Sequence, residues 1–351
     1  MTTTESGFLK SLASWFATLL RWLLKTLRFL GKAALVLWPA FALYWSNLPW
    51  AWARTLLALA FFAFGVWVFW WARRFKMYLV FAGLFLVVAV WFILIPPRQD
   101  RHWRPEVAKL SRAYIDGDNI RITNVRNFEY RGPDDFTVRY EDREVQLSHL
   151  TGVEFFVSYW MPGPVAHTFL SFNFDNAKPI SVSIETRPEV GEGFDPLASM
   201  FKQFELIYVV GDERDIVGVR TDHRHEDVFM YHIRMTPEQA QQLFLIYLKR
   251  INELAERPEF YHLLSDNCTL NIIRYARQVG KPDYFDIRFW LNGFSDRGLY
   301  RAGYLASYLP FRELRRRSWI NPAAREAGGA PDFYQRIRDA VPRLQRPAPA
   351  D

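Results

Sequence analysis

The chain has 351 residues, half of them hydrophobic, with 17% aromatic and 14 tryptophans, which excludes a disordered chain. Its formal charge of +7 is unevenly spread: residues 1–104 hold 12 of the 44 cations but only two of the 37 anions, Glu5 and Asp100, leaving 32 cations against 35 anions beyond. The basic part is thus the apolar part, so membrane lipid and not nucleic acid is the expected partner, while a single cysteine, Cys268, excludes an intrachain disulfide and an all-cysteine zinc site.

In residues 1–32, Phe8, Leu12, Trp15, Phe16, Leu19, Leu23 and Leu27 recur at helical spacing, and Arg21, Lys25, Arg28 and Lys32 fall on one stripe. This predicts an amphipathic helix lying in the membrane surface. It lacks the short apolar core and small-residue site of a cleavable leader. Residues 33–97 are expected to form three transmembrane helices. Residues 55–72 and 77–97 are free of charge and long enough to cross a bilayer, and 33–50, interrupted by Pro39, is the third. Trp45, Trp50, Trp52, Trp70, Trp71 and Trp91 crowd the ends of these segments, where aromatic rings meet headgroups. The basic amino-terminal stripe and Arg73, Arg74 and Lys76 mark the cytoplasmic side, whereas residues 46–53 carry no charge, so residues from about 98 onward are expected outside the cytoplasm.

Residues 98–320 read as an α+β domain. The alternation in 136–140 and 145–147 predicts a β-hairpin, and strand-like runs follow at 153–159, 167–174, 180–187, 204–210, 215–221 and 228–233, enough for one antiparallel sheet. A helix is expected over 236–256, where Thr236, Pro237 and Gln239 form a capping-box signature, and a second over 266–280. Strands followed by helices argue α+β. Residues 321–351, rich in Pro, Ala and Arg, read as a carboxy-terminal tail, partly disordered.

Cys268 falls in the first turn of the second predicted helix, after Asp266 and Asn267, both good capping residues. Free amides and the helix dipole favour an anion there, which predicts a lowered thiol pKa. A thiolate nucleophile needs an imidazole, and the imidazole an orienting polar group. His167 opens one predicted strand, and Ser181, Ser183 and Glu185 share one side of the next. Cys268, His167 and Glu185 are therefore the catalytic candidates, with Asn267, Arg187, Asn127, Asp266 and Ser183 as candidates for substrate binding. The run from Asp212 to Asp215 reads as a solvated turn, Arg187 and Glu205 as a structural pair, and Arg312, Arg315, Arg316 and Arg317 as an exposed basic face or a headgroup contact. His223 and His225 lack an evident third ligand, so no metal is expected, and no cofactor.

Several strings, in order, resemble the Lnb-type amino-terminal periplasmic domain family: Asn124-Val-Arg-Asn127-Phe, Phe155-Phe-Val-Ser-Tyr-Trp160, Ala166-His167-Thr-Phe-Leu-Ser-Phe, Ser183-Ile-Glu185-Thr-Arg187, Phe201-Lys-Gln-Phe-Glu205, Gly211-Asp-Glu-Arg-Asp215 and Asp266-Asn267-Cys268-Thr. The resemblance covers roughly residues 105–320. It implies a bacterial inner-membrane protein with its carboxy-terminal domain in the periplasm, and a permuted papain-like fold in which the catalytic His precedes the Cys. Lnb-type transacylases move an acyl chain within a lipoprotein's lipidated terminus, and the wider superfamily includes lecithin:retinol acyltransferase. Where those acyltransferases carry a second His on the following strand, this chain offers Ser183 or Glu185. The expected function is acyl transfer, or acyl or amide hydrolysis, on a lipoprotein, lipid or peptidoglycan substrate through a Cys–His pair. The alternative is a non-catalytic envelope protein that binds a lipoprotein, a peptidoglycan peptide or a partner protein.

Overall fold

A computed structural model describes residues 3–72, 74–280 and 286–341, with backbone alone for 3–14. Arg73, the side chains of Phe8 and Leu12, and residues 342–351 lie outside the described residues. The chain divides into a helical unit, residues 1–96 with 201–203, and a second unit holding the rest.

The helical unit contains α1 (Thr3–Tyr44), α2 (Ala51–Trp70) and α3 (Phe75–Leu94). All three are long and apolar enough to cross a membrane, α1 over Trp15–Tyr44. The surface helix and first span expected as separate elements are one continuous helix, with Pro39 inside it. Close packing comes from Gly65, where a Cβ would lie 2.9 Å from Val36. Aromatic contacts add to it, among them Trp38 on Phe85 and Phe92, and Trp45 stacked on Phe201. Large apolar side chains such as Leu79, Leu86 and Ile93 remain exposed, as lipid-facing positions are.

The second unit is built on an eight-stranded sheet. Its strands are β1 (Arg112–Asp116), β2 (Asn119–Arg126), β5 (Tyr140–Gln146), β6 (Leu150–Tyr159), β7 (His167–Phe174), β8 (Ile180–Arg187), β9 (Glu205–Asp212) and β10 (Asp227–His232). A separate two-stranded ladder pairs β3 (Glu129–Tyr130) with β4 (Phe136–Thr137). The order is β1-β2-β9-β8-β7-β6-β10, with β5 also on β2. The sheet is mixed, because β2 meets β9 in parallel through Arg126 and Gly211. The hairpin expected from 136–147 does not form: β4 pairs with β3, and β5 with β2. A bulge between Ile122 and Val125 lets β2 serve these partners, and Asn124 takes a positive φ there while its amide donates to the Leu110 carbonyl.

Helices cover both faces, which is why the central strands read as apolar runs rather than alternating ones. One face carries Val153, Phe155, Leu170, Phe172, Val182 and Ile184 against α5 (Pro237–Glu256) and α6 (Cys268–Gln278). The capping box of α5 is complete, with Thr236 Oγ1 accepting from Gln239 N and Gln239 Oε1 accepting from Thr236 N. Its buried Ala240, Leu243, Phe244, Tyr247, Leu248, Ile251 and Leu254 follow the helical period, each large side chain contributing about 1.5–3 kcal/mol on burial. On the same side, α7 (Ser295–Arg301) precedes α8 (Phe311–Arg317). The opposite face buries Phe156, Phe169, Ile207 and Val209 under α4 (Glu213–Gly218), α9 (Asn321–Ala327) and α10 (Phe333–Asp339).

Residues 215–221, expected as a strand, lie in α4 and the π-helical turn Val219–His223, because Asp212 caps the helix through Arg214 N and turns Ile216 and Val217 into the second core. The supposed tail instead carries α9 and α10 over 321–339, with Phe333 and Ile337 fully buried. The charge run from Asp212 is buried and not solvated: Asp212 pairs with Arg143, Glu213 with Arg338, and Asp215 with Arg126, whose Nη2 lies 2.8 Å away.

Candidate active site

His167 is the first residue of β7, where the β6–β7 connection rejoins the sheet. Its ring lies on the face that bears Phe169, stacked at 6.1 Å. The register pairing Phe169 with Ser183 sets Ser181, Ser183 and Glu185 on that same face. His167 Nε2 is 2.6 Å from Ser183 Oγ, and Ser183 Oγ donates to Glu185 Oε1 at 2.6 Å. Since the serine proton is committed to the carboxylate, Ser183 accepts from Nε2–H, which leaves Nδ1 as the basic nitrogen.

Arg220 completes this chain. Its Nη2 is 2.9 Å from Glu185 Oε1, Nη1 donates to the Ile216 carbonyl, and Nε lies 3.9 Å from Glu226. Burial alone would raise the Glu185 carboxyl, but Arg220, His167 and Arg126 hold it well below the usual carboxylate range. Burial, reinforced by Arg220, pushes His167 down to about 4, so the imidazole is neutral at neutral pH.

Cys268 opens α6 and is 2% exposed. It packs on the other face of the sheet, where Thr168 Oγ1 and Thr269 Oγ1 are 2.9 Å apart. Asn292 Nδ2 donates to its Sγ at 3.3 Å, while Asn292 Oδ1 is buried without a partner. The lowered thiol pKa expected from the helix start is not found: burial pushes Cys268 up, and hydrogen bonds from Thr168 and Thr269 offset only part of this. Past the ends of β7 and β8 both faces open into one cavity of about 390 Å³, lined by Cys268, His167, Glu185, Arg220, Glu226, Tyr261 and Asn292, with apolar walls from Trp160, Val165, Ile184 and Phe194. Cys268 and His167 share it without a direct hydrogen bond. A larger cleft of about 690 Å³ elsewhere, lined by Glu154, His232 and Arg338, contains none of the catalytic candidates.

Of the candidates for substrate binding, only Ser183 lies within this constellation, and there it links His167 to Glu185. Asn267 is the fully buried cap of α6, accepting from Leu270 N and donating to the Leu263 carbonyl. Arg187 is spent on the carbonyls of Val107 and Ala108 and on Gln99, over the Trp103 ring; burial lowers it to about 10. It forms no ion pair with Glu205, which meets Arg101 at 3.3 Å. Asn127 bridges Glu141 and Arg214, and Asp266 pairs with Arg274 at 3.0 Å. The basic cluster is largely neutralised as well, Arg315 by Asp296, and Arg316 and Arg317 by Glu313. Sequence reasoning missed Arg220, Glu226 and Asn292. The one legible signal was Arg220, a cation inside the apolar run Ile216-Val-Gly-Val-Arg-Thr.

The class these features define is a membrane protein with an α+β domain whose Cys and His line one cavity. Residues 136–293 match the family model of the Lnb N-terminal periplasmic domain, the family that the ordered motifs resemble. No curated protein and no solved structure matches the chain.

Proposed function

We propose that the protein is an inner-membrane thiol enzyme with its second unit in the periplasm, built on a permuted papain-like plan, that transfers or hydrolyses an acyl group of a lipoprotein, lipid or cell-wall substrate. The observation that carries this reading is the convergence of Cys268, His167 and Glu185, from three separate elements, on one cavity. Cys268 Sγ attacks the carbonyl carbon, and its proton passes to His167 Nδ1 through the group that fills the cavity between them. The Asn292 amide, already donating to Sγ, is within reach of the oxyanion that forms on that carbon. The carbon–leaving-group bond then breaks, the leaving group takes the proton from His167, and water or an acceptor nucleophile resolves the thioester. With both groups neutral at rest, attack and proton transfer occur together, not from a preformed thiolate.

The high thiol pKa and the missing Cys–His hydrogen bond favour a second reading, a binding protein with an inert thiol. Incubating the full-length chain with p-nitrophenyl esters of graded chain length decides between them. The enzyme reading expects a hydroxylamine-labile acyl adduct on Cys268 that is lost in His167→Ala. A folded protein whose Cys268 accepts no acyl group from any ester would establish the binding reading.

A further inference from the structure

We propose that the rim of the Cys268 cavity is a docking surface for a lipid bilayer, so that the cavity opens onto lipid. Three connections meet at this rim. The β6–β7 loop and the segment before α7 are joined by Gly293 N donating to the Pro164 carbonyl, and the segment before α6 is joined by Trp290 Nε1 donating to the Leu264 carbonyl. Trp160, Val165 and Phe194 line the cavity, Leu264 and Leu291 directly adjoin the lining residues Leu263 and Asn292, and Trp290 is hydrogen-bonded to Leu264; all six are between 41% and 52% exposed. Large apolar side chains left exposed on loops that are tied together by hydrogen bonds are costly in water and mark an interaction surface. Two tryptophans among them suit the headgroup region, where an amphipathic ring is stable.

Charge argues for lipid over protein as the occupant. Arg224 is exposed and lines the same cavity. Among the described residues its guanidinium makes no hydrogen bond or ion pair, whereas Arg220, four residues before it, is fully engaged. A free guanidinium beside an apolar rim matches a phosphate above acyl chains. The chain's three membrane-length helices keep a bilayer within reach of this domain. The proposal stands on the rim alone and does not depend on Cys268 being a nucleophile.

The test uses the full chain with Cys268→Ser, in nanodiscs, carrying one new cysteine labelled with an environment-sensitive fluorophore. Leu264→Cys and Leu291→Cys probe the rim. Lys178→Cys, at the far end of the β7–β8 hairpin, is the control, about 25 Å along the strands from the cavity. Rim labels are expected to be quenched at least threefold more than the control by lipids bearing a nitroxide near the headgroup. In discs containing anionic lipid, Arg224→Gln is expected to reduce the rim quenching. Quenching at the rim no greater than at residue 178, with or without a blue shift, would overturn the proposal and point to a protein partner. Because the nucleophile is absent throughout, failure here leaves the acyl-transfer reading untouched, and failure of the ester experiment leaves this one untouched.

Discussion

The imidazole of His167 owes its usable lone pair to Ser183. By accepting from Nε2–H and donating to Glu185, this hydroxyl fixes the tautomer with Nδ1 free, and Arg220 keeps the carboxylate ionised. A hydrogen bond of about 1.4 kcal/mol corresponds to a tenfold rate. Ser183→Ala is therefore expected to slow acylation of Cys268 about tenfold or more, while Ser183→Thr, which keeps the hydroxyl, restores most of it. Equal rates in all three proteins would remove Ser183 from the mechanism. The depressed His167 pKa has a consequence for stability as well. A histidine that is neutral in the fold down to about pH 4 but protonates near 6.5 when unfolded contributes fully above 6.5 and loses that contribution as pH falls from 6.5 to 4. His167→Gln should flatten the fall in thermal midpoint across that window, and an unchanged slope would show that His167 is not what makes the fold acid-sensitive.

At the scale of elements, the cavity depends on loops that nearly touch. A Cβ on Gly293 would lie 2.5 Å from the Gly163 carbonyl oxygen and 2.7 Å from the Pro164 carbonyl carbon, both backbone atoms with little freedom to move. Gly293→Ala is expected to cost about 1–3 kcal/mol and to displace Asn292 from Cys268. Thermal unfolding would read the first effect and a changed alkylation rate of Cys268 the second; wild-type values in both would mean that the loops part freely. None of this closeness could be read from Leu291-Asn-Gly-Phe294, which carries no motif. What the sequence did reveal were elements whose pattern matches their surroundings. The strands β7 and β8 coincide with the runs read for them because both faces are buried, and α5 because its cap is chemical and local. Residues 216–219 misled because β-branched residues suit strand and core helix alike, and only the tertiary burial of Ile216 and Val217 decides between them. Asn267 and Arg187 were visible as unusual polar residues, but capping a helix and satisfying carbonyls call for the same side chains as binding a ligand.

At the scale of the whole chain, the carboxy-terminal helix α10 is held to the sheet by charge as well as by Phe333 and Ile337. Arg338 donates to Glu213 at 2.6 and 2.7 Å and to Glu154 at 3.1 Å, all three groups being buried. Burial raises Glu213 despite Arg338; in Glu154 the guanidinium and His232 outweigh burial and lower it. Arg338→Gln removes the shared counter-ion of two carboxylates and is expected to destabilise the fold by about 3–5 kcal/mol at neutral pH. The sign of its pH dependence follows from the carboxylates left behind. Glu154 keeps His232 at 3.3 Å, but Glu213, already raised by burial, loses its arginine and its folded pKa rises further above the unfolded one, so the variant is weakest when it is ionised and recovers as pH falls toward 4.5. Adding Glu213→Gln to the variant should restore part of the loss at pH 7 without acid. Melting of the detergent-solubilised chain at pH 7 and pH 5 checks both expectations. A gap from wild type that does not narrow at pH 5, or a double variant no more stable than the single one, would mean that α10 is held by its apolar face alone and that the arginine contributes packing rather than charge.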